Sequence, residues 1–251
     1  MNDIFDAAYR ALEYAGKAGA DETEIFCIKG KSITVDVHRD EIDLAKESLL
    51  SGIGIRAIVK GAVGFSSTND PARVREACIL AVKSAKVRDS DPQWSGLPEK
   101  KDFPRVLDTF DEKIKNIEIE SCMDYTAEMI EGAKSLPSVI PTSGHFSCAY
   151  STELILNSRG VEIEETESII QASVDTSTRD GEVSTASEFD ISRKLDLDFR
   201  GIGEKTALLA YSSRNGGHAT TGDTAVLLEP MAFADILENT LLPSINADNV
   251  Q

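Results

Sequence analysis

Apolar and polar residues alternate along much of the first hundred positions, which is the pattern of strands with one buried face. The clearest case is Ser51 to Thr68, with the sequence SGIGIRAIVKGAVGFSST. Lys60-Gly61 offers a turn inside this stretch, because glycine takes positive φ without steric cost. Asp70-Pro71 follows as an N-cap and a first helical residue. The pattern predicts a hairpin and then a helix. No phosphate-binding glycine spacing is present, so the glycines are interpreted as tight turns and close packing.

The remaining pattern of the first half surrounds this hairpin. A helix is predicted from Ile4, with Asn2 or Asp3 as its cap and with Gly16 and Gly19 at its end. Strands are then predicted at 23–29, at 32–39 after a turn at Gly30-Lys31, and at 41–48, where a more polar composition indicates an edge strand. The helix after Pro71 carries the most regular apolar stripe of the chain.

The second half repeats this order after an aperiodic connection at 87–106, where Trp94 is expected to pin the loop onto the body. A helix is predicted from Asp111 to Lys134, with a break near Asn116. The predicted strands are 144–150, 152–157, 161–166, 168–178 and 182–189, with turns at Ser158-Arg159-Gly160 and Arg179-Asp180-Gly181. A helix at 197–211 closes the cycle. A short strand at 224–228 and a helix from Pro230 to Pro243 follow.

These elements predict an α+β protein in which helix-backed antiparallel β meanders occur twice, joined in one sheet or packed as a pair. The expected units are residues 1–106 with the connecting loop, residues 107–222, and residues 223–251 as the beginning of a further C-terminal domain that looks truncated. Residue identity between the two cycles is low, so the repeat is one of organisation.

Charge and composition narrow the function classes. The 251 residues are 41% hydrophobic and carry a formal net charge of -17, which makes nucleic acid and anionic membrane poor direct ligands. No apolar run approaches the roughly 20 residues of a membrane span, and no signal peptide is visible at the N-terminus. The four scattered cysteines form no C-x-x-C pair and are interpreted as buried residues in a reducing compartment. A cytoplasmic protein is therefore expected.

Residue chemistry alone yields no catalytic, cofactor-binding or metal site. The three histidines, His38, His145 and His218, lack helical i, i+4 spacing, and a zinc site from His145, His218 and a distant carboxylate is the only metal arrangement left open. The serines Ser143, Ser147, Ser151 and Ser158 lack a G-x-S-x-G context. Four acidic residues lie close together on one predicted strand and divide between its two faces: Glu162, Glu164, Glu165 and Glu167. A solvated edge strand explains this arrangement better than the paired catalytic carboxylates of a hydrolase.

Four ordered motifs resemble the TldD/PmbA family, also called the modulator of DNA gyrase family. They are GIGIRAIVKGAVGFSST, LILNSRGVEIEETES, RDGEVSTAS and TGDTAVLLEPMAFADILENTL, and the resemblance extends over essentially the whole chain. Each motif is modest in specificity, whereas their order and spacing are fairly specific. The resemblance implies a metallopeptidase fold with a β-rich C-terminal domain, which this chain would lack beyond Gln251.

The resemblance also implies a role in proteolysis. In the TldD-like branch an H-E-x-x-x-H helix binds zinc, and its Glu serves as general base. The matching helix here, PMAFADILENTL, has no histidine, which implies the PmbA-like branch, also called TldE. Members of that branch join a TldD-like subunit around a chamber for unfolded or extended peptides, and are linked to leader-peptide removal and antitoxin degradation. Zinc is then expected in the partner, and no catalytic or metal-binding residue is expected in this chain. The assembly would be a dimer, either homomeric or heteromeric.

Two alternatives remain at this point. The chain is an active metallopeptidase with unrecognised ligands, or a peptide-binding or protein-binding module without enzymatic activity. In each case a free strand edge, at Glu41 to Ser48 or at Val161 to Thr166, is expected to pair with an extended peptide or to dock the partner.

Overall fold

The computed structural model describes residues 3–104, 106–180, 183–218, 220–246 and Asn249. Asn2 and Gly181, which figure in the predicted cap and in one predicted turn, lie outside these residues. The chain divides into two compact units, Met1–Asn215 and Gly216–Gln251.

One six-stranded antiparallel sheet organises the first unit, with the strand order β3-β2-β1-β4-β5-β6. The strands are β1 Glu22–His38, β2 Glu41–Val59, β3 Ala62–Thr68, β4 Val139–Asn157, β5 Glu162–Thr178 and β6 Thr185–Ser192. The helices of this unit are α1 Ile4–Ala18, α2 Val74–Lys86, α3 Glu112–Lys115, α4 Ile119–Ala133 and α5 Phe199–Ser212, with a 3-10 turn at Pro71–Arg73. The predicted α+β class is confirmed.

The two meanders join through β1 and β4, which pair along almost their full length. Of the two predicted arrangements, the single sheet is therefore the one observed. Side chains in both central strands are buried at identical spacing: Ile25, Cys27, Ile33 and Val35 in β1, and Phe146, Cys148, Leu154 and Leu156 in β4. The two meanders therefore share a pattern of buried positions, although few of their residues are identical.

All helices of this unit pack on the same face of the sheet. One core cluster joins α1 and α2 to the end of the sheet around Ile25 and Ile55. A second joins α4 and α5 to the end around Val35 and Phe146. Within the described residues no helix covers the opposite face, where Phe26 is 39% exposed and Phe65 is 61% exposed. This one-sided arrangement is the usual one for an antiparallel sheet with helices on one side.

The predicted hairpin and helix at Ser51 to Pro71 are confirmed. Val59 pairs with Ala62 across a two-residue turn in which Lys60 has φ 53° and Gly61 has φ 77°. Asp70 caps the following helical turn, because its carboxylate accepts a hydrogen bond from the Ala72 amide at 2.9 Å.

The predicted turn at Gly30-Lys31 is wrong, because β1 runs unbroken through it, and β2 likewise joins the two stretches predicted as separate strands. A Cβ on Gly30 would lie 2.3 Å from the Tyr150 carbonyl oxygen. Gly30 therefore permits close approach of two central strands, which is the second common use of a strand glycine.

The second half shows the same correction. The four stretches predicted between 144 and 178 form only two strands, and β4 begins at Val139, earlier than predicted. A register shift between Pro141 and Ser143 accommodates the proline within β4. The predicted 182–189 strand lies at Thr185–Ser192. The predicted helix break is confirmed, because α3 ends with Asn116 as its C-cap.

The second unit, described by itself, contains α6, Pro230–Ile245. The predicted strand at 224–228 is absent from the described residues there. The predicted stop at Pro243 is also wrong, because α6 continues for two residues beyond it. A proline in the last turn of a helix disturbs only one backbone hydrogen bond, that to the residue four positions earlier.

Candidate functional site

One long free edge of the sheet is the outer edge of β2. β3 pairs with β2 only from Ile53 to Val59, so Glu41–Gly52 has β1 on one side and no strand of the described residues on the other. The prediction of an edge strand at Glu41 to Ser48 is confirmed. An edge of this length presents a row of backbone donors and acceptors to any extended chain.

Apolar and charged side chains alternate irregularly along this edge. Leu44 is 50% exposed, Leu49 is 80% exposed and Leu50 is 52% exposed, whereas Ile42 and Ala45 pack against the core cluster under α4 and α5. The strand is thus anchored from one face and leaves three leucines near the free edge. Such residues can supply side-chain contacts beside main-chain pairing, which gives affinity with little sequence preference.

The outer edge of β5 is more covered. β6 pairs only with Ile170–Ser177, which leaves Glu162–Ile169 without a strand on that side among the described residues. The connection before α3 lies against this stretch, where the Ser168 amide donates to the Thr109 carbonyl oxygen at 2.9 Å. A cavity of about 630 Å³ separates the connection from Ile163–Thr166. The two predicted edges therefore differ, and β2 is the freer one.

The acidic run on β5 divides between the two faces, as its sequence spacing predicts. Glu162 lies on the helix side and accepts a hydrogen bond from the Tyr9 hydroxyl at 2.8 Å. This bond, with a small contribution from burial, raises the pKa of Tyr9 above its usual range. Glu167 lies on the opposite face and pairs with Arg193 at 2.7 Å. The carboxylates of Glu162 and Glu167 are therefore engaged in contacts that stabilise the structure.

The helix-free face brings together three of the predicted candidate residues. His145 Nδ1 lies 2.7 Å from Asp36 Oδ1, and the Ser143 hydroxyl donates to Asp175 Oδ2 at 2.6 Å. His38 lies directly across from Ser143 in the strand register. Serine, histidine and aspartate therefore share one end of this face, but Ser143 donates to a carboxylate and not to a histidine that could act as its base.

The other candidates are dispersed. Ser158 accepts a hydrogen bond from the Thr23 amide, which places it in the turn after β4. Ser147 and Ser151 lie on β4, and His218 lies in the second unit. The four cysteines are buried and unpaired, as expected for small core residues. Burial raises the pKa of Cys27 to about 12 and that of Cys78 to about 11, which suppresses their thiolates.

In the part of the chain that the structure describes, no three His, Cys, Asp or Glu side chains are placed to hold a metal. The sequence of α6 contains Asp235 and Glu238 but neither histidine nor cysteine, whereas protein zinc sites are dominated by those two residue types.

Comparison with known proteins identifies the fold. Residues 23–85 match the first domain of the PmbA/TldA metallopeptidases, and residues 112–214 match their central domain. An uncharacterized protein of Methanocaldococcus jannaschii is 28% identical over 238 residues, which are 94% of this chain and 54% of that protein. The chain therefore spans about half the length of the curated relative it matches.

Solved structures of similar fold match most of the chain. TldE from Thermococcus kodakarensis is 23% identical with a TM-score of 0.78, over 83% of this chain and 48% of that one. A candidate modulator of DNA gyrase from Bacteroides thetaiotaomicron is 18% identical with a TM-score of 0.81, over 95% of this chain and 56% of that one. No described helix is long and apolar enough to cross a membrane. The two matched domain models follow each other in order through most of the sheet unit, and the chain belongs to the TldD/PmbA family.

Proposed function

We propose that this chain is a PmbA/TldE-like subunit that works with a TldD-like metallopeptidase in processing extended peptides, and that it holds no zinc itself. The observation that carries the proposal is the sequence of α6. The family resemblance places an H-E-x-x-x-H motif in this helix in the zinc-binding branch, and here the helix contains no histidine. Hydrolysis by a zinc-bound water would then belong to the partner.

The free edge of β2 supports a part in holding peptide or partner. Glu41–Gly52 offers about twelve residues of unpaired strand edge beside three exposed leucines. An added strand forms main-chain hydrogen bonds whatever its sequence, which suits the handling of varied unfolded segments. The net charge of -17 favours substrates that are neutral or basic over nucleic acid.

Metal analysis tests the division of labour. The protein is purified alone and also co-purified from its native host, and zinc is measured by elemental analysis in each preparation. The proposal expects no stoichiometric zinc in the isolated chain and zinc in a complex with an H-E-x-x-x-H subunit. Stoichiometric zinc in the isolated chain would overturn it and favour the alternative of an active metallopeptidase with other ligands. Peptide binding without any hydrolase partner would favour a binding module.

Proline scanning tests the edge. In an antiparallel edge strand, alternate amides point inward to the neighbouring strand and outward to solvent. Single prolines are placed at Ala45, Lys46, Glu47 and Ser48, which pair with β1 in regular register, and the melting temperature identifies the pair that keeps the fold. Those two variants have lost only an outward donor, and they should bind peptide or partner more weakly. Equal binding by the well-folded pair and the unmodified chain would remove the edge from the proposal.

A further inference from the structure

The end of the sheet at the β1–β2 turn contains a cavity of about 510 Å³. Three connections meet there: the β1–β2 turn with Arg39, the α4–β4 connection with Lys134, and the end of β5 with Arg179. The lining holds one carboxylate, that of Asp40, against these three cationic side chains, so the cavity is locally positive in a chain with a net charge of -17.

The guanidinium groups of this cavity have unused bonding capacity. Lys134 Nζ lies 3.7 Å from Asp40 Oδ2, so the lysine is already paired. Arg39 and Arg179 form no side-chain hydrogen bond or ion pair within the described residues, although each guanidinium offers five donors in a planar fork. Arg39 also has a φ of 61°, a left-handed conformation that is uncommon for a residue with a side chain. An oxygen-bearing anion is the natural partner of such groups.

The internal repeat shows what occupies the matching place at the other end of the sheet. The corresponding connections there are the turn after β4 with Arg159, the α1–β1 connection, and the β2–β3 turn with Gly61. The linker after α2 lies against these connections, with a turn at Asp91–Trp94 and no regular secondary structure from there to Lys100. Its Asp91 amide donates to the Gly61 carbonyl oxygen at 3.0 Å, and its Leu97 is buried.

Arg159 is the residue that holds this linker. Its Nη1 donates to the Leu97 carbonyl oxygen at 2.9 Å, and its Nη2 contacts the Glu99 carboxylate at 2.6 Å. The Asn157 side chain adds a bond to the Pro98 carbonyl oxygen at 2.8 Å. An arginine in a strand-connecting turn thus recognises one backbone carbonyl and one carboxylate of an irregular segment, and the guanidinium of Arg39 could form the same bonds.

We propose that the cavity around Arg39, Lys134 and Arg179 is a binding site for an extended peptide segment that carries a carboxylate, supplied by another molecule. The peptide occupies the place that the linker occupies at the opposite end of the sheet. The carboxylate pairs with the guanidinium groups, and the backbone carbonyl groups accept the remaining donors. This site is separate from the β2 edge and does not depend on a metallopeptidase partner.

The probe is a fluorescein-labelled peptide with the sequence of residues 91–100, DPQWSGLPEK, measured by fluorescence anisotropy against the full chain. We expect saturable binding with one site per chain. Arg39→Ala and Arg179→Ala should each raise the Kd about three- to tenfold, because each removes charge-assisted hydrogen bonds to a partly solvated carboxylate. A peptide in which the glutamate is replaced by glutamine should bind the unmodified chain correspondingly more weakly.

Arg75→Ala is the matched control, since Arg75 is an exposed arginine on α2 outside the cavity. It makes the same charge change and should leave the Kd within about twofold. Circular dichroism and melting temperature establish that every variant is folded. Absence of saturable binding, or a Kd unchanged by Arg39→Ala and Arg179→Ala, would overturn the proposal. Binding that depends on Arg159→Ala alone would do so too, because the peptide would then be displacing the linker at the occupied end.

Discussion

Gly64 sits at the tightest approach between the central hairpin and its covering helix. A Cβ at this position would lie 2.2 Å from the Ala81 carbonyl oxygen and 2.2 Å from the Ala85 amide nitrogen, both in the backbone of α2. Ordinary contacts begin at 3.4 Å, so Gly64→Ala requires the helix or the strand to move by about 1 Å. Backbone atoms cannot rotate away as a side chain can, and the cost should lie near the upper part of the range for overpacking, about 2–3 kcal/mol.

The measurement is thermal unfolding followed by circular dichroism and tryptophan fluorescence. For a chain of this size about 1 kcal/mol corresponds to a shift of about 2–4 °C, so Gly64→Ala should lower the melting temperature by roughly 4–12 °C. Gly52 in the same hairpin is the control, because the nearest atom to its added Cβ is 3.9 Å away. Gly52→Ala should be neutral or stabilise by up to about 1 kcal/mol through a less flexible unfolded state. Equal stability of the two variants would refute the packing argument for Gly64.

Three further outcomes are expected. Gly203→Ala should lower the free energy of unfolding by about 1–3 kcal/mol, because its Cβ would lie 2.1 Å from the Met129 carbonyl oxygen where α5 packs on α4. Thermal unfolding checks this, with Gly16→Ala as the control, because Gly16 is a helical position with open space around it. Glu22→Ala should shift the Trp94 emission to the red, because it removes the 2.9 Å bond from Trp94 Nε1, and an unshifted spectrum would contradict that anchoring. The Cys27 and Cys78 thiols should resist a disulfide reagent at pH 8 and react once the chain is unfolded in urea, since burial raises their pKa values to about 12 and about 11.

The local pattern of the sequence was sufficient for most elements. The alternation in Ser51–Thr68, the turn glycine at Gly61 and the cap at Asp70 are all short-range signals, and the structure confirms each of them. The strand glycine Gly30 was misread because the same residue type serves both turns and close strand contacts. Only the neighbouring strand distinguishes the two uses, and that strand lies about 120 positions away in the sequence.

The free edge of β2 was also predicted from the sequence, whereas the partial cover of β5 and the cationic cavity were not. The free edge at Glu41 follows from polar alternation, which a single strand records in its own sequence. The partial cover over Ile163–Thr166 comes from an aperiodic connection, whose path no periodicity encodes. The cationic cavity was missed for the same reason, because Arg39, Lys134 and Arg179 belong to three connections that only the complete sheet brings together.

The fold and the proposed division of chemistry depend on different parts of the chain. Structures only 18–23% identical retain TM-scores of 0.78–0.81, so the sheet is maintained by the spacing of buried residues and not by their identities. Zinc chemistry would instead depend on a few ligands in α6, which belongs to the other unit. A helix without histidines therefore leaves the burial pattern of β1 and β4 intact. A chain can keep a peptide-holding sheet while its partner performs hydrolysis.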